Sequence, residues 1–86
     1  MEHNTYGDGK FQHLKFSDAG QEISVGVIEP GEFHFTPDQE ETVTCLTGEI
    51  TVNDTTIRPG EKVIIPKNEP FTISATTPSS YMCFYR

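Results

Sequence analysis

Turn signals interrupt this chain every several residues, and the segments between them are rich in β-branched and aromatic side chains. Glu29-Pro30-Gly31 and Arg58-Pro59-Gly60 each set a proline of fixed φ ahead of a glycine that accepts positive φ. Ser17-Asp18-Ala19-Gly20, Lys67-Asn68-Glu69-Pro70 and Thr77-Pro78-Ser79 are further breaks. Asn53-Asp54 lies between β-branched runs and predicts a two-residue hairpin. No segment reads as helical for longer than one turn. The pattern predicts strands near Phe11–Phe16, Ile23–Ile28, Glu32–Thr36, Thr42–Thr47, Glu49–Asn53, Thr55–Arg58, Lys62–Pro66, Phe71–Ala75 and Ser80–Tyr85. Many short strands at this spacing specify an all-β sandwich or barrel.

With 86 residues the chain forms one domain, over residues 1–86. A domain of this size buries only about 60% of its unfolded surface, so a subunit interface would add needed burial. In the last strand Tyr81, Cys83 and Tyr85 point one way, and Met82 and Phe84 the other. Both faces are apolar or aromatic, so one lines the barrel and the other calls for a second sheet or a second subunit. The net charge is -7 with only six Lys and Arg. Such an acidic surface excludes a nucleic-acid backbone as partner, yet one or two cations in a cleft still suffice for a small phosphate. No run approaches the roughly 18 apolar residues of a membrane-spanning helix. The polar start Met1-Glu2-His3-Asn4-Thr5 does not read as a signal peptide, which makes a cytoplasmic location the expectation. Cys45 and Cys83 are too few for a disulfide framework and read as buried thiols.

Within this pattern stands a frame of fixed spacing. Gly31 is followed by Glu41, and Glu41 after six intervening residues by Gly48; Gly60 is followed after five intervening residues by Pro66. The frame resembles the two motifs of the cupin superfamily, which implies an all-β, single-domain cupin barrel or jelly roll. A typical cupin carries metal-binding His where this chain has Pro37, Gln39 and Phe71. Only Glu41 of the usual ligand set remains, so no metal site is expected. His3, His13 and His34 show no ligand spacing of their own.

A more specific resemblance covers nearly the whole chain. Ser24-Val25-Gly26-Val27, Gly31-Glu32-Phe33, Phe35, Glu41, Gly48, Val52, Gly60, Pro66, Phe71 and the closing Tyr81-Met82-Cys83-Phe84-Tyr85-Arg86 carry it, with weaker matches at Asn4, Tyr6, Gly9-Lys10 and Phe16. These residues resemble the small pyrimidine/purine nucleoside phosphorylase family. The resemblance implies a homodimeric, metal-independent cupin without a cofactor. Such an enzyme splits purine and pyrimidine nucleosides with inorganic phosphate, as co-substrate, to a free base and ribose 1-phosphate. The chain departs from the family at Gln12-His13, where a Lys-Ser pair is usual, and in a shortened hairpin at Asn53-Asp54 that lacks the usual Trp.

Phosphorolysis needs donors or a cation for phosphate, a carboxylate beside the cationic ribose and a donor to the departing base. Glu41 is the candidate carboxylate. It belongs to the run Asp38-Gln39-Glu40-Glu41, of a kind usually solvated, but its spacing to Gly48 singles it out. Tyr81 joins it as a candidate catalytic group, offering a hydroxyl and an aromatic face. Substrate-binding candidates are Gln39, Phe71, Phe33, Phe35, Tyr85, His13 and Arg86. Phe71 replaces a ligand and is placed to stack on a base. Gln39 would reach a base edge from an old ligand position. His13 would stand in for the missing pair, and Arg86 or Lys10 would hold phosphate. Two other readings compete: a cupin that binds a small metabolite without turnover, favoured by the missing Lys-Ser pair, and a metal-dependent cupin enzyme, opposed by the lost ligands.

Overall fold

The computed structural model describes residues 1–86 and contains no helix. Ten strands follow in order: β1 (Glu2–Tyr6), β2 (Phe11–Asp18), β3 (Gln21–Ile28), β4 (Gly31–Phe35), β5 (Glu41–Thr47), β6 (Ile50–Val52), β7 (Thr55–Ile57), β8 (Lys62–Ile65), β9 (Phe71–Ala75) and β10 (Ser79–Tyr85). They form a six-stranded sheet in the order β1-β2-β3-β10-β5-β8 and a four-stranded sheet in the order β4-β9-β6-β7. All strand pairs are antiparallel. This is the all-β cupin barrel that the glycine frame predicts.

Every expected strand is present, with ends shifted by a residue or two. β1 is an addition. Its residues are polar on both faces, which removes the hydrophobic alternation by which a strand is usually read. A turn with positive φ at Gly7, Asp8 and Gly9 folds it back onto β2. Asn53-Asp54 is the expected two-residue loop, closed by the Val52–Thr55 pair, with Asn53 at φ 52°. Gly48 adopts φ 78°, and a Cβ there would stand 2.8 Å from the Pro78 carbonyl oxygen and collide with the Ser79 hydroxyl. The frame glycine before β6 is thus required twice over, by dihedral and by space.

The core lies between the sheets. Ile28, Ile50 and Ile73 are its largest fully buried side chains, and the free thiols Cys45 and Cys83 are buried among them. At one end of the barrel the aliphatic filling gives way to aromatic rings. Tyr6, Phe33 and Phe35 all meet Phe11 edge-on or tilted, at centroid distances of 5.2–5.5 Å. β10 pairs with β3 on one side and β5 on the other. Along the β5 edge the register slips between Ser80 and Tyr81, so β5 holds Leu46 as an extra residue. A bulge of this kind sharpens the local twist beside Tyr81.

The outer face of the larger sheet is apolar and uncovered. Leu14 lies across from Val25, and Val25 from Met82. Val27 and Ile64 are 54% and 59% exposed. The two-sided apolar character of β10 is therefore met by the barrel core on one side only.

Candidate active site

A cavity of about 290 Å³ opens at the aromatic end of the barrel. It is close to the lower bound of roughly 300 Å³ for small-molecule pockets. Three walls build it. β1 and β2 contribute Glu2, Asn4, Tyr6, Phe11, His13 and Lys15; β4 and the following turn contribute Phe35, Pro37 and Asp38; β5, β9 and β10 contribute Glu41, Phe71, Tyr81 and Tyr85. Period-2 alternation explains the placement, because alternate residues of a strand share a face: Glu2, Asn4 and Tyr6 on β1, Phe11, His13 and Lys15 on β2.

Six of the candidates from the sequence meet here: Glu41, Tyr81, Tyr85, His13, Phe35 and Phe71. Four do not line the cavity, among them Lys10, which is exposed in the turn before β2. Phe33 packs against Phe11 at 5.3 Å and over Gly7, filling the barrel. Gln39 is half-buried in the turn before β5. Arg86 is exposed past the end of β10, tied down only through its backbone N–H, which donates to the Glu40 carbonyl at 2.9 Å. Of the four positions that hold metal in a typical cupin, Pro37, Glu41 and Phe71 line this cavity. No three His, Cys, Asp or Glu side chains gather closely enough to hold a metal ion.

Glu41 is half-buried at the start of β5, opposite Tyr85. The Cys83 thiol donates to its Oε1 at 3.5 Å. Burial raises the pKa of Glu41 above the ordinary carboxylate value; the thiol and Lys15 pull it back down. The same burial drives the hydroxyls of Tyr81 and Tyr85 upward, so both remain protonated donors at neutral pH.

His13 sits in a relay whose direction is fixed by its outermost member. The Asn4 amide nitrogen donates to Glu2 Oε2 at 2.7 Å; a carboxylate only accepts, so that atom must be nitrogen. The same nitrogen lies 3.0 Å from His13 Nε2, which must then accept. Burial, and then Lys15, lower the pKa of His13 and favour neutral imidazole. Its one proton therefore sits on Nδ1 and is directed at the Tyr81 hydroxyl oxygen, 3.3 Å away. Tyr81 accepts from His13, so its own O–H hydrogen is not used in that contact.

Sequence reasoning missed the contributions of β1 and Lys15. The Gly7-Asp8-Gly9 turn was the available signal for β1, since a hairpin turn ahead of Phe11 implies a strand on its other side. Lys15 alternates with the apolar Leu14 and Phe16 along β2. Leu14 is in fact 43% exposed on the outer face, and Lys15 points inward. Gln12 also faces away from the cavity: its amide donates to the Gly9 carbonyl at 2.8 Å, and its oxygen lies 3.0 Å from His3 Nε2.

A family model described as pyrimidine/purine nucleoside phosphorylase matches residues 1–85. The chain belongs to that family. A family member from Anaeromyxobacter sp. (strain Fw109-5), named pyrimidine/purine nucleoside phosphorylase, is 34% identical over 89 residues, which cover 96% of this chain and 85% of that protein. One of the same name from Yersinia enterocolitica is 34% identical over 92 residues, covering 99% and 97%. Among solved structures, a Vibrio parahaemolyticus protein of unknown function superimposes with a TM-score of 0.93 at 32% identity, over 99% of this chain and 97% of that one.

Proposed function

We propose that this protein is a broad-specificity nucleoside phosphorylase, a pentosyl-transfer enzyme that needs no metal. It splits purine and pyrimidine nucleosides with phosphate to free base and ribose 1-phosphate. The observation that carries the reading is the convergence of the Glu41 carboxylate and the Tyr81 side chain on one aromatic-lined cavity.

The step balances without an external redox partner. An oxygen of hydrogen phosphate attacks the anomeric carbon, and the bond from that carbon to the base nitrogen breaks. The electron pair leaves with the base, and the phosphate proton ends on the base nitrogen. Positive charge that builds on the ribose lies beside Glu41, which is favoured in a partly desolvated site. Negative charge building on the base is offset by the Tyr81 donor. Phe35 and Phe71 supply ring faces to the base; stacking reads no particular base edge, which suits both base classes.

We further propose a homodimer in which a second copy covers the outer face bearing Leu14, Val25, Val27 and Ile64. A stripe of this kind on a domain this small is met most simply by the same stripe on a twofold-related copy. Sedimentation should return twice the 9.6 kDa chain mass; a monomer at micromolar concentration would remove the dimer. The expected location is cytoplasmic.

The competing reading is a cupin that binds a polyol without turnover. The carboxylates Glu2, Asp38 and Glu41 in the lining favour it, since they suit sugar hydroxyls. Base release from a nucleoside panel decides between them. Phosphorylase activity requires phosphate and is unchanged by EDTA. Binding without release in any phosphate concentration supports the rival.

A further inference from the structure

We propose that Lys15 is the group that holds the phosphate, an inference that rests on the phosphorolysis reading above. Six Lys and Arg occur in the chain, and Lys15 is the single one that lines the cavity. Its place follows from the hairpin. Lys15 pairs with Glu2 on β1 and Ser24 on β3, on the same inward face as His13. Its ammonium lies 4.4 Å from the centroid of the Tyr85 ring, whose hydroxyl is engaged with the Ser24 hydroxyl at 2.8 Å. The ring shields only one side of the ammonium, so an anion can still reach it.

The charge layout gives that anion one place to go. Glu41 and Asp38 occupy the wall formed by β5 and the turn before it. Glu2, on the β1 side, accepts from the Asn4 amide at 2.7 Å. Lys15 stands on the β2 wall, a different wall from the one that carries Glu41 and Asp38. A single ammonium acts on phosphate as a point charge, without the bidentate geometry of arginine.

One internal competitor is visible. Glu22 Oε2 lies 3.4 Å from the Lys15 ammonium, with both side chains partly exposed, and Glu22 is not among the residues lining the cavity. Phosphate and Glu22 therefore draw on the same cation. Removing Lys15 and removing Glu22 must shift phosphate affinity in opposite directions.

The test is initial-rate kinetics with phosphate and nucleoside varied separately, on wild type, Lys15→Met, Lys15→Arg and Glu22→Gln. Loss of a charge-assisted contact raises the half-saturating phosphate concentration of Lys15→Met by about ten- to a hundredfold. Its nucleoside KM stays within about twofold, Lys15→Arg recovers most of the loss, and Glu22→Gln lowers the phosphate requirement. An unchanged phosphate requirement in Lys15→Met overturns the assignment, as does a matching rise in both KM values. A second readout needs no turnover: inorganic phosphate should raise the Tm of wild type and not of Lys15→Met. No rise in wild type, or equal rises in both, also overturns it. A Lys15-dependent rise in a protein that cleaves no nucleoside would keep the anion site and refute the phosphorylase reading.

Discussion

Glu41→Gln will lower kcat for base release by at least about 100-fold, the size of effect seen when one preorganised electrostatic partner of a transition state is removed. The substitution keeps shape and removes only charge. Its fold should not suffer. Burial raises the pKa of Glu41, so at neutral pH the folded state holds a carboxylate that is less comfortable than in the unfolded chain. The sign follows directly: between the ordinary value of 4.5 and the raised folded value, the native state binds more protons than the unfolded one, so stability falls as pH rises through that window. Removing the charge lifts this cost, and the Tm of Glu41→Gln at pH 7 should equal or exceed that of wild type. Activity moves the other way. The acid limb of kcat/KM in wild type should lie above 4.5, because the carboxylate must be ionised to act. A variant that loses stability along with activity would assign Glu41 to structure, and one that retains full rate would remove it from the mechanism.

Gly26→Ala is the second large effect, and it tests Tyr81. Gly26 stands between His13 on β2 and Tyr81 on β10 in the sheet. A Cβ at this position would lie 2.7 Å from both the hydroxyl-bearing ring carbon and the hydroxyl of Tyr81. The ring therefore lies flat over the one residue of β3 that has no side chain. Adding a methyl group forces the ring off this seat, a form of overpacking that costs about 1–3 kcal/mol. For a domain of this size that is a Tm loss of roughly 5–20 °C. The displaced hydroxyl also leaves His13 Nδ1, and the relay no longer aims its proton. A shift of about 1 Å at a reacting group costs on the order of 100-fold in rate. Rates should be measured well below the variant's own Tm, so that the two losses are separated. Wild-type stability and rate in Gly26→Ala would mean that Tyr81 has a free alternative position and that the relay is unimportant.

This glycine shows what the sequence makes legible. Ser24-Val25-Gly26-Val27 stands out as part of a family resemblance, but its reason is a ring contributed from 55 positions later, at Tyr81. The barrel is legible because turns and alternation are local: Pro-Gly pairs, Asn53-Asp54 and the β-branched runs each act over a few residues. Glu41 is legible through spacing alone, since its acid neighbours share its composition and not its register. The remainder of the site is hidden by polarity. β1 carries Glu2 and Asn4 inward because the mouth of the barrel is polar, which inverts the usual rule that inward residues are apolar. Lys15 is hidden by the same inversion, with apolar Leu14 on the outside. Gln39 and Arg86 fall outside the cavity because a motif position and a strand end fix the backbone without fixing where a side chain reaches.

The central claim is that phosphate, and not water, takes the ribose. The most direct measurement is a product balance by phosphorus NMR and chromatography after prolonged incubation of one purine and one pyrimidine nucleoside with excess phosphate. The account predicts one ribose 1-phosphate for each base released, with no free ribose and no release when phosphate is omitted. Free ribose in equal amount to base would make the protein a hydrolase, and intact nucleoside would leave a binding cupin; either result contradicts the account.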